Sequence, residues 1–135
     1  MALSDFPFSP TRGLADLLGI AFEEVEPERV VATMPVTPDH HQPLGYLHGG
    51  ASVVLAESVA SIGAAVGVLP EKVSFGLEIN ANHVRPVQSG TLRAVGERLH
   101  AGRTTQVWQI RITDDDDRLI CVSRCTIALV AAGER

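Results

Sequence analysis

Residues 51–68 (ASVVLAESVASIGAAVGV) are apolar or small on every side of a helical wheel, and Glu57 is the one ionisable group among them. A helix that is apolar all round belongs in an interior, so the rest of the chain must wrap it. Serines, glycines and Glu57 interrupt the run too often for a membrane span, and Pro70 stops it. An isolated carboxylate in such a helix is costly to bury, and desolvation pushes its pKa upward. Glu57 is therefore a candidate functional residue. Two plainer readings stay open here: the carboxylate sits where the helix meets solvent, or it pairs with an arginine.

The wrapping elements are read from periodicity. Residues 11–20 (TRGLADLLGI) place Leu14, Leu17 and Leu18 at helical spacing, predicting a short N-terminal helix. Residues 29–36 alternate as a strand, and 37–50 (TPDHHQPLGYLHGG) are turn formers and read as a loop. Segments 72–85, 90–99, 104–113 and 119–130 are rich in branched residues and alternate in polarity, as in a meander of long antiparallel strands. One buried helix against an antiparallel sheet of five or six strands is an α+β architecture. A chain of 135 residues has room for one domain, 1–135, and no second.

Charge and cysteine usage narrow the function. The net charge of −5 argues against nucleic acid. Between Ile79 and Thr113, however, five arginines (Arg85, Arg93, Arg98, Arg103, Arg111) face one acid, Glu97. They are either scattered solvated groups or the hold for a small anionic ligand. Cys121 and Cys125 lie about 13 Å apart in an extended strand, beyond disulfide reach. Reduced thiols, with no basic-then-apolar leader, point to the cytoplasm.

His48-Gly49-Gly50 opens the buried helix, where first-turn amides lack intrahelical partners and the helix dipole favours a developing oxyanion. Ser61 lies four residues beyond Glu57 on the same face, able to orient it or a water. Gln42, in the preceding loop, can donate to a carbonyl. Together these supply an oxyanion site, a base or nucleophile and orienting groups. Gly49 and Glu57 are about 12 Å apart along one helix, too far to touch one carbonyl. If both act, they come from two subunits whose helices run side by side in opposite directions.

QPLGYLHGGA (42–51), LAES (55–58), Ser61, NANHVR (80–85) and QVWQI (106–110) together resemble the hotdog-fold acyl-CoA thioesterases. Within them the chain is similar to the branch of 1,4-dihydroxy-2-naphthoyl-CoA hydrolase and related aryl-CoA thioesterases of menaquinone biosynthesis. The resemblance implies a hotdog fold and hydrolysis of an aromatic acyl-CoA to free acid and CoA. It implies Glu57 as nucleophile or general base, the Gly49 amide as polariser of the carbonyl, Gln42 and His48 as positioning groups, and Ser61 as support for the carboxylate. Coenzyme A, here part of the substrate and not a cofactor, would lie along His83, Val84 and Arg85 and the loop Gly102, Arg103 and Thr104, with Gly76 nearby. The branch implies a homotetramer, a dimer of dimers, with no metal, nucleic acid or membrane partner. Position 42 is Gln where another hotdog branch carries Asp, and the Asp/His pair of the superfamily's hydratases is missing. Two other functions remain beside this one: an acyl-CoA sensor without catalysis, and a thioesterase of broad proofreading specificity.

Other features are read plainly. His40-His41 are expected in a solvated loop, 114–117 (DDDD) in a solvated hairpin turn, and Trp108 in the core. Ala60, Gly63 and Ala64 either make room for a bulky acyl ring or let elements pack close, with the first reading preferred.

Overall fold

The computed structural model describes residues 13–133. Its elements are α1 (Leu14–Leu17), β1 (Ala21–Glu26), β2 (Arg29–Pro35), α2 (Gly49–Val68), β3 (Lys72–His83), β4 (Thr91–Ala101), β5 (Thr105–Thr113) and β6 (Leu119–Ala131), with a 3-10 turn at Pro38–His40. The six strands form one antiparallel sheet in the order β1-β2-β4-β5-β6-β3. This is the helix-in-sheet architecture expected from the sequence. One strand, β1, is not among those the periodicity predicts, and α1 is a single turn. Positions 11 and 12 of the expected helix lie outside the described residues. Leu14 and Leu17 are exposed, so α1 buries no apolar stripe.

α2 lies across the inner face of the sheet. Leu55, Ala56, Val59, Ala60 and Ala64 pack onto Met34 of β2, Leu92 and Ala94 of β4, Trp108, Ile110 and Ile112 of β5, and Cys121, Cys125 and Ile127 of β6. Both thiols are free and buried, as their strand spacing requires. Small residues set how close the helix comes. A Cβ on Gly63 would run into the Trp108 indole, and one on Gly96 would run into Val59. The space beside Gly63, expected to admit an acyl ring, is filled by Trp108, and Ala60 and Ala64 are fully buried. These positions serve close packing, not a substrate pocket.

β3 occupies an edge of the sheet, hydrogen-bonded to β6 along one side only. It runs back along α2 in the opposite sense. Ser74 Oγ, near its start, donates to the Ser61 carbonyl (3.0 Å), and Gly76 lies under Glu57. His83, its last residue, lies against Gly49. The register with β6 slips between Gly76 and Glu78, a bulge that opens the strand beneath the carboxylate.

Candidate active site

The segment leading into α2 is a folded hairpin. His41 and Leu47 form an antiparallel bridge, the Gln42 amide donates to the Tyr46 carbonyl (2.7 Å), and Gly45 turns the chain at φ +86°. His40 is buried, contrary to its expected place in a solvated loop. Its Nε2 donates to the Leu18 carbonyl (2.7 Å), while Nδ1 accepts from the Thr37 amide (3.2 Å). His41 Nε2 donates to the Gln88 carbonyl (2.8 Å). Both rings are structural pins that hold the hairpin over the start of α2. In it, Gln42 Oε1 accepts from the Leu44 amide, which leaves its Nε2 hydrogens for another acceptor.

At the helix start, His48 is the N-cap: its Nδ1 accepts from the Gly50 amide (2.8 Å), so the neutral ring carries its proton on Nε2. Gly49 follows as the first helical residue. Its amide has no acceptor within the helix and faces the positive end of a 20-residue dipole. The His83 imidazole packs directly on it. A Cβ at Gly49 would stand 3.0 Å from His83 Nε2, so a side chain there would push the ring away.

Around this point lies a cavity of about 330 Å³, with Gln42, Gly49, Ser52, His83 and Arg85 among its polar lining and Tyr46, Leu47, Val84, Pro86 and Ile120 as its apolar wall. Five of the residues singled out in the sequence therefore converge: Gln42, Gly49, His83, Val84 and Arg85. Ser52 is not among those the sequence singles out. It lies one helical turn beyond Gly49, is fully buried, and its hydroxyl has no hydrogen-bond partner. The i, i+3 spacing from Gly49 is the signal that could have found it.

Glu57 occupies a second cluster. It is half-buried and forms no ion pair or hydrogen bond among the described residues. Its carboxylate lies directly over Gly76, where any Cβ would collide with Oε2. Gly76, expected beside coenzyme A, is the floor beneath this carboxylate. Behind it, burial pushes the Cys125 thiol up to about 12, helped by the negative charges of Glu57 and Glu78. That thiol stays protonated and is no nucleophile.

The residues expected to hold coenzyme A do not meet within this one chain. Lys72 Nζ, at the start of β3, donates to the Arg103 carbonyl (2.6 Å), which fixes the Gly102-Arg103-Thr104 hairpin at that end. His83, Val84 and Arg85 are at the other end, about 35 Å along the strand. Nor do the arginines converge. Arg85 lines the cavity, Arg98 Nη1 donates to the Pro27 carbonyl (3.3 Å), and Arg93 and Arg111 are exposed on the sheet's outer face. At 114–117, the expected hairpin turn is present, but Asp114 is buried within it.

Residues 44–121 match the model of the thioesterase superfamily. The chain is 53% identical over 117 residues to the 1,4-dihydroxy-2-naphthoyl-CoA hydrolase of Listeria monocytogenes, covering 87% of this chain and 95% of that protein. It is 48% identical over 117 residues to the Escherichia coli protein of the same name, covering 87% and 86%. A crystal structure of a mutant thioesterase from Pseudomonas aeruginosa superimposes with a TM-score of 0.84 at 48% identity, covering 87% of this chain and 85% of that one. These relatives are enzymes, which sets aside a sensor without catalysis. Family model, relatives and architecture agree: the chain belongs to the thioesterase superfamily, as a thioester hydrolase of hotdog fold.

Proposed function

We propose that this protein hydrolyses an aryl-CoA thioester, of the 1,4-dihydroxy-2-naphthoyl-CoA kind, to the free acid and CoA, at sites shared between two protomers. The observation that carries this reading is the opposed course of β3 along α2. One end of the pair holds Gly49 and His83, and the other holds Glu57 and Gly76. A twofold axis midway between those ends would carry one onto the other. The partner's Glu57 would then face the Gly49 amide, and the partner's Gly102-Arg103-Thr104 hairpin would approach His83 and Arg85. One operation accounts for both long separations. The free edge of β3, with Phe75 and Leu77 exposed, is suited to pairing with its own copy.

In that site the thioester oxygen accepts from the Gly49 amide, with the helix dipole and Gln42 Nε2 drawing charge onto it. The partner's Glu57 attacks the carbonyl carbon or takes a proton from the attacking water. The Arg85 guanidinium, exposed at the cavity, suits a phosphate of CoA. The experiment is thiol release with Ellman's reagent across aromatic and aliphatic acyl-CoAs, ranked by kcat/KM. Aryl-CoA should lead, and Glu57→Gln should lower kcat by about a thousandfold or more with the oligomer intact. Unchanged turnover in Glu57→Gln would remove the mechanism, and preference for aliphatic acyl groups would remove the substrate class.

A further inference from the structure

His83 is the one imidazole among the cavity's lining residues. The Gln42 amide, the Ser52 hydroxyl, the Tyr46 phenol and the Arg85 guanidinium do not shuttle protons there, whereas imidazole does. The other nearby imidazole, His48, is engaged as the helix cap. His83 is exposed, and its Nε2 is the atom nearest to the side-chain direction of Gly49. The residue whose amide meets the carbonyl oxygen is thus the one on which this ring rests.

Chemistry supplies the need. When a carboxylate attacks a thioester, the tetrahedral intermediate can expel either the carboxylate or the thiolate. Ordinary carboxyl groups ionise near pH 4 and alkyl thiols near 8.5, so the unaided intermediate collapses backward. A proton delivered to sulfur reverses that preference. The sulfur is bonded to the same carbon as the oxygen held by Gly49, which puts it within one residue's breadth of the ring.

We infer that His83 is the general acid that protonates the departing CoA sulfur, a role that rests on the thioester being held as proposed above. In the step, the carbonyl re-forms from the oxyanion, the C–S bond breaks and its electron pair goes to sulfur. The imidazolium Nε2 proton joins that sulfur to give the CoA thiol. His83 leaves the step as neutral imidazole and regains a proton from solvent, while water opens any acyl bond formed to Glu57.

The test compares two thioesters of one aromatic acid: the CoA ester, and an ester of thiophenol, whose more acidic thiol leaves without a proton. His83→Gln and His83→Asn should lower kcat for the CoA ester by about 10²- to 10³-fold. Turnover of the thiophenyl ester should stay within about threefold of wild type. A rise in KM for the CoA ester at unchanged kcat would make His83 a binding residue and overturn the proposal. An equal loss of kcat on both esters would make it structural and overturn the proposal as well. A Glu57→Gln protein that is dead alongside either result keeps the hydrolase reading and rejects this one alone. A wild type inert toward every acyl-CoA rejects both.

Discussion

Gly76 shows how much a site can depend on an atom that is missing. The Glu57 carboxylate occupies the volume a side chain would take, and the bulge between Gly76 and Glu78 turns the strand so that it can. Gly76→Ala would lift the carboxylate off its floor and misplace the oxygens to which the proposed mechanism gives the attack. We expect kcat to fall by about a hundredfold with little change in melting temperature, measured on CoA-ester hydrolysis and by thermal unfolding. Activity close to wild type would mean that the carboxylate has another resting place. Glu57 is legible in the sequence because a charge on an apolar helix violates the pattern around it. Gly76 is legible only in part, because a glycine in a strand says that something comes close and not what it is, and its closeness to Glu57 shows only in the fold. Ser52 carries no such violation: a serine among alanines and valines reads as ordinary helix filling.

At the scale of elements, the connections do more than link strands. In the β5–β6 turn, Asp114 accepts from the amides of Asp116 (2.9 Å) and Arg118 (2.9 Å) and from the Arg118 guanidinium (2.9 Å). Burial acts to raise its pKa, but these bonds and the Arg118 charge outweigh it and hold the carboxyl below the usual carboxylate range. A carboxyl that titrates lower folded than unfolded stabilises the fold above its unfolded value, near pH 4. That stabilisation fades as pH falls through the folded value. Asp114→Asn should therefore melt lower than wild type at pH 7, and the gap should close as the pH is taken from about 5 to 2. A gap independent of pH would exclude this linkage. Four consecutive acids mark a turn by composition, but which of them folds inward depends on the backbone amides the turn presents. β1 escapes the periodicity for a related reason. Its exposed Glu23, Glu24 and Glu26 hide the alternation, and Val25 is its one buried side chain.

For the whole molecule, the proposed sharing of sites makes a quantitative statement. Proline is tolerated at the first helical position, so Gly49→Pro removes the amide hydrogen with little harm to α2. Mixed with Glu57→Ala, it forms hybrid dimers with one intact site, built from Gly49 of one chain and Glu57 of the other. Each variant alone should be inactive. An equal mixture, unfolded and refolded together, should recover about a quarter of wild-type activity, since half the dimers are hybrid and each has one working site. A mixture as dead as its parents would place both groups in one chain. The proposed need for two chains follows from helical rise alone, because eight residues on a rigid rod fix a distance. The same reasoning does not reach the coenzyme groups, whose separation depends on which end of a long strand the β4–β5 hairpin approaches.

The wedge of Trp108 beneath Gly63 has a practical corollary. It is the only tryptophan in the chain and is wholly enclosed between helix and sheet, so tryptophan emission, excited selectively, watches that seam and no other. Events at the molecule's outer edges would leave its colour unaltered, whereas a chain loosening its central rod would redden at once.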